Sequence, residues 1–156
     1  MNDMKQDTIK NKLFKLCKDY VELRIFTAKN AMDVAQSGAS EESKTSMGDK
    51  YETSKALLHI EKDKAAGQLS EAIKLDRVLN EIQTITTDNQ KVDLGNLVLT
   101  TNGNFYISIS VGKLTVANND YFAISLASPV GQLLYGLKVG EEMSFNKRTF
   151  KILEVS

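Results

Sequence analysis

The sequence predicts an α+β chain: a long N-terminal antiparallel α-helical coiled-coil hairpin, then a small C-terminal antiparallel β-sheet carrying one short helix. Three observations carry this. Residues 5–85 contain only three glycines (Gly38, Gly48, Gly67) and no proline, and they are rich in Ala, Lys, Glu, Leu and Gln, all good helix formers. Apolar residues recur there at three-four spacing. After Ile85 the pattern changes to short β-type runs punctuated by Asn- and Gly-bearing turns.

In the first helix the rhythm runs through Leu13, Leu16/Cys17, Tyr20, Leu23, Thr27, Ala31 and Val34. In the second it runs through Leu58, Ala65, Leu69, Ala72/Ile73, Leu75, Leu79 and Ile82. Each stripe is too narrow to be buried alone, so the two helices are expected to cover each other as a hairpin. The break is expected at Ser37-Gly38-Ala39-Ser40, continuing to Gly48, with the second helix starting near Gly48 or Asp49. Helices of roughly 30–38 residues would make an arm about 45–55 Å long at ~1.5 Å per residue.

Thr86-Thr87-Asp88-Asn89-Gln90 reads as a linker, which sets expected domains at 1–86 and 87–156. Strands are predicted at 97–100, 105–110, 113–116, 121–125, 143–145 and 149–155. One short helix interrupts them. Ser128 suits an N-cap, Pro129 the first helical position, and Gly136 the end.

Lys+Arg and Asp+Glu both number 20. The residues up to Thr86 carry 14 of each sign and the rest carry 6 of each. Neither half has the local cation excess that phosphate neutralisation needs, so direct sequence-specific DNA binding is not expected. With one cysteine (Cys17) and one histidine (His59), a disulfide framework and a Cys/His zinc site are excluded within one chain. No apolar run reaches membrane-spanning length and no secretory h-region follows Met1, so a cytoplasmic protein without a membrane partner is expected.

The most informative segment is Gly48-Asp49-Lys50-Tyr51-Glu52, expected at or beside the hairpin tip. Asp49 and Glu52 are three residues apart, which puts both on one face of a starting helix. Acids are favoured there by the helix dipole alone. On a long arm they could also help complete a metal site on another molecule, because Mg²⁺ takes one or two protein carboxylates and fills its shell with water or phosphate. Two acids do not make a good site by themselves, so no cofactor is expected on the isolated chain. Lys50 could pair with either acid or touch an RNA phosphate, and Tyr51 could pack or stack on a base. Glu41 and Glu42 are back-up candidates at the turn. Cys17 and His59 are read as a small core residue and a helix flank rather than a nucleophile–base pair.

These pieces resemble the bacterial Gre transcript-cleavage factors. The resemblance rests on a helical hairpin with Gly48-Asp49-x-x-Glu52 at its tip and on Ser128-Pro129-Val130, Leu134, Gly136, Lys138-Val139-Gly140 and Glu141. Val92-x-Leu94-Gly95-x-Leu97-Val98 adds to it, so the likeness covers nearly the whole chain. It implies an FKBP-like C-terminal domain that docks on RNA polymerase through Ser128, Pro129, Gly136, Lys138 and Gly140. It also implies that the hairpin enters the polymerase secondary channel, where Asp49 and Glu52 share the catalytic Mg²⁺ and stimulate the polymerase's own cleavage of backtracked RNA. The protein would then be an accessory factor rather than an enzyme, and it would meet the nascent RNA 3′ end only indirectly. Lys50, Tyr51 and Thr53 stand where the family usually has Leu, Ser and Asn. That departure implies the alternative of a channel-binding regulator or inhibitor that does not cleave. An FKBP-like prolyl isomerase and a coiled-coil adaptor are the remaining alternatives.

Overall fold

The structure is a computed structural model that describes residues 2–42 and 49–156, with side chains described over 5–38 and 52–156. The element order is α1 (Asn2–Glu42), α2 (Asp49–Thr84), β1 (Leu97–Thr100), β2 (Gly103–Ile107), β3 (Gly112–Val116), β4 (Asn119–Ile124), α3 (Pro129–Leu134), β5 (Glu142–Phe145) and β6 (Arg148–Val155). The chain is α+β, with two long helices packed together and a C-terminal six-stranded sheet. No described helix is long and apolar enough to cross a membrane. The described residues form two compact units, Met1–Asp19 with Arg77–Ser156, and Tyr20–Asp76.

In Tyr20–Asp76 the helices run antiparallel. Gln36 meets Lys62, whose Nζ donates to Gln36 Oε1 at 2.5 Å, while Gly38 faces Leu58. The seam is built from small side chains: Ala28, Ala35, Ala65 and Ala72 are all buried. Helix α1 continues through Gly38 to Glu42, so the expected break at Ser37–Ser40 is not there. A Cβ on Gly38 would stand 3.3 Å from the Leu58 side chain. The glycine thus serves close approach of the second helix, not a turn.

The buried stripe of α1 is also rotated from the expected one. Ile9, Leu13, Cys17, Val21, Ala28 and Ala35 are buried, while Leu16, Leu23 and Val34 are exposed. The rhythm was real, but the helix carries two apolar stripes, and the smaller residues took the seam.

In the other unit the sheet order is β3-β4-β2-β1-β6-β5. It is mixed, not antiparallel as the sequence suggested, because β2 pairs with β4 in parallel (Phe105 opposite Phe122, Ile107 opposite Ile124). After β2 the chain steps past one position and forms the edge strand β3. It then returns through a two-residue hairpin at Ala117-Asn118 (φ 51° and 66°), so that β4 fills the gap. Positive φ at both positions marks a type I′ turn, and Asn146-Lys147 (φ 52° and 65°) repeats it between β5 and β6.

The core lies on one sheet face, where Val98, Phe105, Ile107, Phe150 and Ile152 pack with Leu134 of α3. Phe105 lies between Phe122 and Phe150, with ring centroids 6.0 and 5.9 Å away. The opposite face is covered as well, which the sequence did not suggest. The Ser108 hydroxyl meets Cys17 Sγ at 3.9 Å, and Tyr106 lines a cavity of about 300 Å³ with Lys10, Phe14 and Ile82. Tyr106, Ile107 and Ser108 are therefore buried in succession, as expected for a strand covered on both faces.

Asn96, fully buried, ties the linker to the sheet. Its Nδ2 donates to the carbonyls of Asp88 and Ser156, both at 3.0 Å, and its Oδ1 accepts from Asp93 N at 2.8 Å. Lys10 Nζ reaches Thr87 Oγ1 at 3.0 Å.

Gly131 in α3 gives a sharp test. A Cβ there would lie 2.0 Å from the Ser125 carbonyl oxygen and 2.9 Å from Ser128 Oγ. Gly131→Ala is expected to lower unfolding free energy by about 3 kcal/mol or more, because backbone must move. Urea denaturation followed by circular dichroism measures it.

Candidate functional site

Asp49 is the first residue of α2, and Lys50, Tyr51 and Glu52 complete its first turn. Gly48 lies outside the described residues, as do Glu41, Glu42 and Asp49 to Tyr51 with respect to their side chains. Glu52 is exposed. A helix starting at Asp49 puts positions 49 and 52 on one face and at the positive end of the helix dipole. That end favours negative charge, and carboxylates at these positions offer hard oxygen donors. Among the described residues, no group of three or more His, Cys, Asp or Glu is placed to hold a metal ion. Two carboxylates alone leave most of a magnesium coordination shell to other donors.

The C-terminal candidates form one continuous segment whose chemistry is largely structural. Ser128 caps α3: its Oγ accepts from Gly131 N at 3.0 Å and donates to the Ser125 carbonyl at 2.7 Å. Pro129 takes the first helical position, where its missing N–H costs nothing. Gly136 (φ 80°) ends the segment, and its N–H donates to the Val92 carbonyl at 2.9 Å. Lys138 to Glu141 form a closed turn in which Glu141 N donates to the Lys138 carbonyl at 3.0 Å and Lys138 N donates to Glu141 Oε1 at 2.8 Å. Gly140 (φ 92°) supplies the left-handed position that this turn needs. Of the five residues, Pro129, Lys138 and Gly140 are exposed. Leu133, Tyr135 and Val139 on the same segment expose apolar surface as well. Leu133 and Tyr135 were not among the residues expected to dock, and Val139 entered only as part of the Lys138-Val139-Gly140 motif.

Cys17 and His59 offer no nucleophile–base pair. Cys17 is buried, and burial pushes its thiol up to about 11 despite the Ser108 hydrogen bond. His59 is exposed. A thiol held protonated is a poor nucleophile.

Compared with protein-family models and with curated proteins, the chain matches none.

The Cys17 environment sets an alkaline limit on stability. In the unfolded chain the thiol ionises near its usual 9.0, and in the fold near 11. The fold thus holds its proton more tightly. This stabilisation is complete below pH 9 and is lost as pH rises toward 11. Burial also pushes the Tyr106 hydroxyl up, which extends the loss further. Unfolding free energy from urea titrations is expected to fall between pH 9 and 11, and Cys17→Ala should flatten the early part of that fall.

Proposed function

We propose that the protein binds RNA polymerase and presents Asp49 and Glu52 in the polymerase secondary channel to stimulate cleavage of backtracked RNA. The observation that carries this reading is the start of α2 at Asp49, with Glu52 exposed one turn later. The packed helical pair and the separate sheet unit support it, because they suit a delivery arm and a docking module. In this reading the sheet unit is the FKBP-like polymerase-binding domain, and the protein works in the cytoplasm as an accessory factor.

The donor set fits magnesium. Two carboxylates are hard oxygen ligands, and Mg²⁺ is commonly held by one or two of them with phosphate and water completing the shell. Asp49 and Glu52 would hold it jointly with polymerase residues. Magnesium so bound lowers the pKa of a water and offsets charge on the reacting phosphodiester. The chain's own part is positional. A helix starting at Asp49 would set positions 49 and 52 on one face, at the end where its dipole favours negative charge. Lys50, between them, would neutralise a neighbouring RNA phosphate. Lys138 and the exposed Tyr135 and Val139 would carry the docking contacts, while Ser128, Gly136 and Gly140 hold that segment in shape.

A non-cleaving channel regulator is the second reading, favoured by Lys50 in the same turn as the acids. One experiment separates the two. Backtracked elongation complexes are incubated with wild type and with Asp49→Asn/Glu52→Gln. Wild type is expected to accelerate release of short 3′ RNA fragments, and the double variant to lose that acceleration by about 10²-fold or more, or about 2.7 kcal/mol in barrier. Equal effects of the two proteins would remove the catalytic role. Slowed elongation by wild type without fragments would establish the regulator. A companion pull-down of polymerase with Lys138→Glu/Val139→Asp should show weakened capture, with the fold intact by circular dichroism.

A further inference from the structure

The unit Tyr20–Asp76 presents a second stripe outward. A groove of about 590 Å³ between its helices is lined by Tyr20, Leu23 and Thr27 of α1 and by Gly67, Gln68 and Glu71 of α2. These residues share one side of the helix pair. Helical periodicity extends that side by whole turns. Val34 follows Thr27, and Ile60 and Lys64 precede Gly67 and Glu71, at the same seven-residue step. Leu23 is 65% exposed, Val34 63% and Ile60 63%. A single exposed leucine needs no explanation, but exposed Leu23 and Val34 of α1 together with Ile60 of α2 along one side of the pair do.

Two further features say what covers it. Gly67 sits in the interior of α2, where glycine weakens a helix relative to alanine. Nothing lies within 4 Å of the place its Cβ would take, and its φ is not in the left-handed region. Nothing inside this unit fills the place of that Cβ, so the backbone there is bare and open to close approach. Lys64 and Glu71 then lie on either side of Gly67-Gln68, with opposite charge and both exposed. Glu71 also pairs with Lys74 at 3.1 Å on the surface, which leaves its second oxygen available.

We propose that this face binds a second copy of the chain, antiparallel, in a four-helix bundle centred on Gly67. A two-fold axis between Gly67 and Gln68 sets Lys64 of each copy opposite Glu71 of the other. It also sets Ile60 opposite the half-buried Leu75. The pairing is isologous, so each contact is made twice. The same axis lays α1 against α1 of the copy, bringing Leu23 and Val34 of each toward those of the other. A helix with two neighbours needs apolar surface on two sides, which α1 carries in Leu23 and Val34 and α2 in Ile60. The inference stands independently of the polymerase reading.

The test uses the full chain in sedimentation equilibrium, with circular dichroism to confirm unchanged helicity. Wild type is expected to dimerise reversibly. Lys64→Glu and Glu71→Lys should each raise the dimer Kd by about tenfold, since two attractive contacts become repulsive, and the double reversal should restore it to within about threefold. Gly67→Leu should give a folded monomer. Gln68→Cys should cross-link to a covalent dimer under mild oxidation, because position 68 lies beside the axis and Cys17 is buried. A wild type that stays monomeric at about 1 mM overturns the proposal. So does a double reversal that fails to restore pairing, or a monomer that takes up a foreign amphipathic helix on this face.

Discussion

The seam of small residues between α1 and α2 is the constraint on which the hairpin depends. Ala28, Ala35, Ala65 and Ala72 bury little apolar area each, but they let the two backbones come close, and Gly38 allows the Leu58 side chain to lie against α1. Packing at that distance works through many dispersion contacts rather than a few large side chains. It also decides what remains outside. The large apolar residues of α1, Leu23, Phe26 and Val34, are turned away from the seam. A hairpin held by Leu and Ile would have buried them and left no second face.

The sheet unit depends on covering β2 from both sides. Phe105 and Ile107 face the core with α3, while Tyr106 and Ser108 face the bases of the long helices. Asn96 joins the linker to this arrangement with three hydrogen bonds from one buried amide, which offset the cost of burying it. The same economy explains the C-terminal signature. Ser128, Gly136 and Gly140 each answer a local backbone demand: a cap, a left-handed exit and a turn. Changing them would damage the segment before it affected any partner. In the proposed docking role, the contacts would fall instead on Lys138 and on the exposed Tyr135 and Val139.

The sequence made some of this readable and hid the rest for identifiable reasons. The strand positions and α3 were legible, because Asn pairs, Gly, Ser128 and Pro129 are local signals whose chemistry does not depend on distant residues. Strand direction was not. The alternation of Phe105–Val111 says that a strand forms, but not that β4 will slip in beside β2 in parallel. Gly38 read as a turn because glycine is ambiguous: it serves sharp bends and close packing equally, and only Leu58 decides between them. The choice of buried stripe on α1 was hidden because both stripes are apolar. At the candidate site, the start of α2 at Asp49 was legible. The exposure of Tyr135 and Val139 was not legible, because apolar residues beside a short helix read equally well as core.

The two proposed roles of the hairpin constrain each other. Asp49 and Glu52 can act in a channel only if the flanks of their helices are free to line it. The exposed Leu23, Val34 and Ile60 are part of those flanks. A copy seated there thickens the hairpin from two helices to four and adds about 10 Å, one helix diameter, across the pair. A channel that fits a two-helix hairpin closely would not admit such a bundle. Pairing and channel binding would therefore compete, and binding to the polymerase would draw the chain from the paired state by mass action. The two also differ in what they require chemically. Self-pairing needs the Lys64–Glu71 contacts and the bare backbone at Gly67, whereas channel action needs the carboxylates at the start of α2. The residues do not overlap, so each role can be removed while the other is kept, and the competition itself becomes measurable as a dependence of polymerase binding on total chain concentration.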